Sequence, residues 1–176
     1  MRFTETKLKG SYIIELEMIN DERGFFARSF CQKEFVQNRL ESNIVQCNIS
    51  FNKRKGTIRG MHFQREPKGE PKLVRCTRGK IYDVIIDLRC DSQTYCEWQA
   101  VELTATNRRA FYVPKGFAHG FQTLEDNTEV FYLMCEFYYP EYSSGIRWND
   151  PAFGVKWPLP LAIISEKDAA YADFER

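Results

Sequence analysis

KLVRCTRGKIYDVIIDLR (72–89) sets two runs rich in Val, Ile, Thr and Tyr on either side of Gly79-Lys80. β-Branched and aromatic side chains fit a pleated, half-buried surface, and a glycine between two such runs is a turn signal. The stretch therefore reads as two strands with a hairpin tip at Gly79-Lys80. Runs of the same kind recur in YIIELEM (12–18), NIVQCNIS (43–50), EWQAVELT (97–104), AFYVP (110–114), GFQTLE (120–125) and TEVFYLMCEF (128–137), with Glu125-Asp126-Asn127 as a second tip. Short strands at this spacing predict an all-β sandwich or barrel. Two stretches break the pattern. QKEFVQNRLE (32–41) lacks Gly and Pro and predicts a short helix; SEKD (165–168) starts another at Ser165, with an acid three residues after the cap. Both helices are expected at the periphery. With no repeat, low-complexity tract or linker, residues 1–176 are expected to form one domain with a sizeable core.

Lysine and arginine total 25 against 24 aspartates and glutamates, with no long like-charged block, so a general polyanion binder is not indicated and nucleic acid is not an expected partner. The N-terminal MRFTETKLKG lacks the apolar core of a signal peptide, and no apolar run approaches the roughly 18 residues that span a bilayer. A cytoplasmic protein without a membrane partner is expected. The six cysteines, at 31, 47, 76, 90, 96 and 135, form no C-x-x-C pair. They read as reduced, mostly buried thiols rather than zinc or redox ligands.

Strand alternation puts Lys72, Val74 and Cys76 on one face, and Val130, Tyr132 and Met134 on one face of a later strand. A tyrosine there is readily a core residue, but a lysine among apolar neighbours demands a partner. His62 lies in TIRGMHFQREPKGEPKLVR (57–75), flanked by Arg59, Arg65, Lys68 and Lys72 and punctuated by Gly60, Pro67, Gly69 and Pro71. Such a basic, turn-rich lip suits an anion such as a phosphate. A neutral imidazole among cations also has reason to stay unprotonated and act as a base. The chain has only two histidines, His62 and His119, and the spacing around them offers no obvious further ligand, so no bound metal is expected. Arg59 and His62 are three residues apart, which in a regular strand turns them to opposite faces; a bend at Gly60 would bring both into one site.

DERGFFARSF (21–30), IRGMHFQ (58–64), KLVRCTRGKIYDVIIDLR (72–89), FYVPKGFAHGF (111–121), GIRWNDPAFGVKWPL (145–159) and ISEKD (164–168) together resemble the dTDP-4-dehydrorhamnose 3,5-epimerase family. The resemblance implies an all-β, cupin-like jelly roll that forms a homodimer. It also implies a metal-free, cofactor-free epimerase inverting C3 and C5 of a nucleotide-diphosphate-linked 4-keto-6-deoxyhexose. By position, His62 looks like the proton acceptor with Asp168 orienting it, Tyr132 like the proton donor, and Lys72 like the group facing the C4 oxygen. Arg23, Arg59 and Lys167 match positions that hold the diphosphate. His119 matches a substrate-contacting position supported by Asp83, Gln46 and Asn48 fall near the nucleotide and sugar, and Tyr138 matches an aromatic that stacks on the base. Three positions depart from the family pattern: Arg28 and Ser143 where acids near the nucleotide are usual, and Cys47 where Asp is common. The departures leave room for a carrier such as CDP or GDP. Inversion at C3 alone, or a non-catalytic sugar-nucleotide-binding cupin, also remain open.

Overall fold

In the computed structural model, which describes residues 1–175, the strands pack as two facing antiparallel sheets. One contains, in spatial order, β1 (Arg2–Glu5), β2 (Tyr12–Glu15), β10 (Ala110–Val113), β7 (Lys72–Arg78), β12 (Thr128–Met134) and β5 (Gln46–Asn52). The other contains β13 (Ser143–Gly145), β6 (Ile58–Gln64), β11 (Phe117–Thr123), β8 (Lys80–Asp87) and β9 (Trp98–Thr104). A separate hairpin joins β3 (Ile19–Asp21) to β4 (Gly24–Phe26), and two short helices, α1 (Gln32–Gln37) and α2 (Glu166–Ala169), complete the fold. This is the all-β class expected from the strand spacing, in the jelly-roll form that the resemblance implied. Residue 176 lies outside the described residues.

Neither expected hairpin tip closes a hairpin. β7 pairs with β10 and β12, whereas β8 pairs with β11 and β9, so Gly79-Lys80 is a corner where the chain crosses between sheets. Residues 125–127 cross in the same way between β11 and β12. The local chemistry is that of turns, since Gly79 has φ +76° and Asn127 has φ 54°. Turn residues specify a reversal; they do not specify which strands pair afterwards. The two corners touch: a Cβ on Gly79 would stand 2.5 Å from Thr128 Oγ1 and 3.2 Å from its Cα.

The space between the sheets holds Val74, Cys76 and Val130 from one side and Ile81, Ile85, Leu103, Phe117 and Phe121 from the other, with Tyr132 packed against them. Burying one such aliphatic side chain contributes about 1.5–3 kcal/mol, so the inner faces dominate the stability of the sandwich. The two sets of alternating residues share this inner face, paired as Val130 with Cys76, Tyr132 with Val74 and Met134 with Lys72.

On the outer face of the first sheet, Phe35 of α1 is fully buried beside Phe3, Phe30 and Tyr112. The helix is shorter than residues 32–41. Arg39 adopts φ 59°, and the Leu40 N–H turns back to the Phe35 carbonyl. Residues 58–64, read as part of a lip, form a strand, which confines the turn-rich segment to 65–71. All six cysteines are free thiols, but only Cys76 is buried, and there burial pushes the thiol up to about 12. Cys47 and Cys90 are exposed, Cys47 because it sits on the outer face of the edge strand β5. No helix among the described residues is long and apolar enough to cross a membrane.

Candidate active site

His62 and His119 are direct cross-strand neighbours on β6 and β11, and the next matched pair is Arg59 with Phe121. Three steps along β6 thus correspond to two along β11, a bulge that admits one extra residue. The extra residue corrects the parity, so Arg59 and His62 line the same cleft despite their odd spacing. Gly60 makes the bulge possible. Its φ is +100°, and a Cβ there would lie 2.6 Å from the His119 carbonyl oxygen and 2.8 Å from the Gly120 Cα. Its N–H points out of the ladder and donates to Asp168 Oδ2 at 2.9 Å.

Asp168 sits on α2. The helix starts at Ser165, whose Oγ accepts from the Asp168 N–H at 3.1 Å. The acid three residues past the cap does not return to its own helix end. Its Oδ1 lies 2.7 Å from His62 Nε2. Burial alone would raise the Asp168 carboxyl, but the hydrogen bonds from His62 and the Gly60 N–H outweigh it and hold the group below the usual carboxylate range. An ionised carboxylate only accepts, so Nε2 is the ring nitrogen that donates, and in the neutral imidazole Nδ1 keeps its lone pair. Tyr171 sets its ring edge-on to the imidazole, 6.2 Å between centroids at 71°. Gly145 makes room for this contact, because a Cβ there would overlap the tyrosine ring.

The facing sheet supplies Tyr132 and Lys72. With Arg59, His62 and His119 they line a cavity of about 310 Å³. An adjoining cavity of about 400 Å³ shares His62, Lys72 and Tyr132 and adds Gln46, Asn48, Glu70, Tyr138, Ser143 and Lys167. Burial pushes the Tyr132 phenol above its ordinary value, with Glu70 adding to the rise and Arg59 opposing it. The partner that a buried Lys72 requires is Glu70, whose Oε1 is 2.7 Å from Nζ. Sequence reading missed Glu70, and the only signal it offered was an acid two residues before the lysine. Tyr171 was missed as well. A second His–Asp pair joins His119 Nε2 to Asp83 Oδ1 at 2.9 Å, with Asp83 fully buried and its Oδ2 unpartnered.

Two of the expected site residues stand elsewhere. Arg23, at the turn of the β3–β4 hairpin, pairs with Asp21 at 2.6 Å and is exposed. Arg28 pairs with Glu34 at 3.3 Å. Neither lines the cleft of its own chain. Arg59 is braced by Asn52, whose Oδ1 accepts from Nε at 2.7 Å, and Gln46 Oε1 accepts from the Tyr138 N–H at 2.8 Å. Of the three positions that depart from the family pattern, Ser143 alone reaches the cleft. Among the described residues, no three His, Cys, Asp or Glu side chains are grouped to hold a metal ion.

The family model described as dTDP-4-dehydrorhamnose 3,5-epimerase matches residues 5–176. A protein of that name from Methanothermobacter thermautotrophicus is 52% identical over 170 residues, covering 95% of this chain and 91% of its own. The fold superposes on the crystal structure of such an epimerase from Bacillus anthracis with TDP and PPi bound, with TM-score 0.95, 40% identity and coverage of 98% of this chain and 99% of that one. A 3,5-epimerase from Legionella pneumophila in complex with dTDP-4-keto-L-rhamnose matches with TM-score 0.90 and 37% identity, covering 97% of this chain and 90% of that one.

Proposed function

The chain belongs to the dTDP-4-dehydrorhamnose 3,5-epimerase family, and from that premise we propose that it is a cytoplasmic isomerase inverting C3 and C5 of dTDP-4-dehydro-6-deoxy-D-glucose. The chemistry is general base and acid catalysis by His62 and Tyr132 through an enolate, carried by one domain and needing neither metal nor cofactor. The observation that carries this reading is the placement of His62 and Tyr132 on facing sheets around one cleft, with Lys72 in the same lining.

A hydrogen beside a ketone is acidic only because the resulting charge spreads onto the carbonyl oxygen. His62 Nδ1 takes the proton, a role that contributes typically ~10²–10⁴-fold. The Lys72 ammonium faces the C4 oxygen, and one donor aimed at a developing oxyanion is worth about 3–4 kcal/mol. Inversion requires the proton to return on the other side of the sugar. Tyr132 supplies it from the facing sheet, as a phenol that burial keeps protonated. His119 and Asn48 contact the sugar, Gln46 and Tyr138 receive the nucleotide with Ser143 beside them, and Arg59 and Lys167 hold the diphosphate.

Arg23 and Arg28 join this site from a second copy of the chain. They lie on or beside a two-stranded hairpin that exposes Ile19 (68%) and Phe26 (70%), while β5 exposes Ile49 (65%). A lone hairpin is marginal in water, and apolar side chains left open on it call for cover. A homodimer in which each hairpin reaches its partner's cleft provides that cover and delivers both arginines.

Binding energy from the diphosphate holds the sugar in register without joining the chemistry. Arg59→Ala is therefore expected to raise KM by ~10–100-fold, the worth of about 1.5–3 kcal/mol for a charged hydrogen bond, with a smaller change in kcat. Steady-state kinetics separate the two.

The function itself is tested by proton NMR of dTDP-4-keto-6-deoxyglucose incubated with the protein in heavy water. Loss of both the C3 and C5 signals is expected. Loss of C3 alone would assign a 3-epimerase. Retention of both, repeated with CDP- and GDP-linked 4-keto sugars, would leave a binding protein.

A further inference from the structure

Lys72 and Glu70 are both nearly removed from solvent, with side chains 9% and 8% exposed, and both border the cavity that also holds Tyr132. Replacing a buried ion pair by apolar residues is often neutral or stabilising, so stability alone does not account for keeping one here. Placement does. The Lys72 backbone is fixed in the ladder opposite Met134 on one side and Val113 on the other. Its four-carbon stem is not fixed by the ladder and carries about 2 kcal/mol of rotamer entropy. Glu70, on the turn-rich segment just before β7, supplies the one ion pair that Lys72 makes among the described residues. An ammonium has three donors, so pairing with one carboxylate does not exhaust its capacity to meet a ligand.

We propose that Glu70 is a positioning residue for the reaction: its carboxylate holds the Lys72 ammonium in the orientation that meets the sugar C4 oxygen as charge develops there. The inference rests on the role given to Lys72 above. It deepens that role, because a donor contributes to rate only when it is aimed before the charge appears. Because Glu70, Lys72 and Tyr132 line the same cavity, the pair borders the region where the proposed reaction takes place.

A double-mutant cycle with Lys72→Met tests it, alongside thermal melting of every variant. Glu70→Ala is expected to lower kcat by ~10–100-fold, part of the ~10²–10³-fold that an oxyanion donor carries, with KM changed far less. In the Lys72→Met background the same substitution should cost little more, because the group it positions is gone. Glu70→Gln should recover part of the loss, since its amide oxygen still accepts from the ammonium. An equal fall in both backgrounds, or lower melting with unchanged kcat, overturns the proposal. A substrate-free measurement keeps this separate from the reading of the reaction. Reductive methylation of Lys72, followed by peptide mass spectrometry, should run faster in Glu70→Ala than in the unaltered protein. If the unaltered protein exchanges no sugar proton, the epimerase reading fails, and the methylation rate still decides whether Glu70 holds Lys72. An unchanged rate overturns that contact.

Discussion

Replacing His62 with alanine is expected to lower turnover by ~10²–10⁴-fold, the span that a positioned general base supplies, with substrate affinity largely kept. The asymmetry follows from where the binding groups stand. Arg59 is braced by Asn52, and Lys167 and Tyr138 line the adjoining cavity, none of them through His62. Asp168 retains its bonds to the Gly60 N–H and its seat beside Ser165, so α2 stays docked when the imidazole is removed. Exchange at C3 and C5 in heavy water should fall with turnover, while calorimetric titration with dTDP should change little. Normal turnover in this variant would sink the base assignment.

The second large effect is qualitative. Tyr132→Phe keeps the ring that packs against the core between the sheets but deletes the proton that, in the proposed reaction, returns to the sugar. Inverted product should drop by ~10²–10⁴-fold, the range for a positioned acid, whereas deuterium should continue to enter at C3 with configuration retained. His62 can return a proton only to the side from which it took one. Chiral analysis of the recovered sugar, together with its isotope content, separates the two events. Inverted product at the original rate would show that another group, or water, acts on the opposite side.

The parts of this site that were legible in the sequence are those that depend on alternation and local chemistry. Lys72, Val74 and Cys76 share a face, as do Val130, Tyr132 and Met134, because a pleated strand leaves no other choice. The Ser165 cap was visible for the same reason. Pairing across the fold was not legible. Gly79 and Asn127 announce reversals, yet the strands beyond them enter different sheets, a choice made by burial over the whole chain. Glu70 was hidden in a segment read for its basic residues, and its importance appears only once Lys72 is seen to be enclosed. Arg23 and Arg28 were expected near the substrate only from the positions they occupy in the resemblance, and within one chain they pair instead with Asp21 and Glu34.

The bulge at Gly60 bears on how this protein can change. A two-residue spacing without a bulge would also have turned Arg59 and His62 inward, so direction is not what the extra residue contributes. It contributes a main-chain donor that the ladder does not use, and that donor is one of the two groups bonded to the Asp168 carboxylate. A side-chain anchor could be lost through many single-codon changes. This one can be lost only through proline, which has no N–H. Every other replacement keeps the donor but brings a Cβ against the backbone of β11. The proposed base is thus moored to a part of the molecule that drift in the gene cannot edit piecemeal, and position 60 should tolerate almost nothing in a saturation library even though Gly60 lines neither cavity.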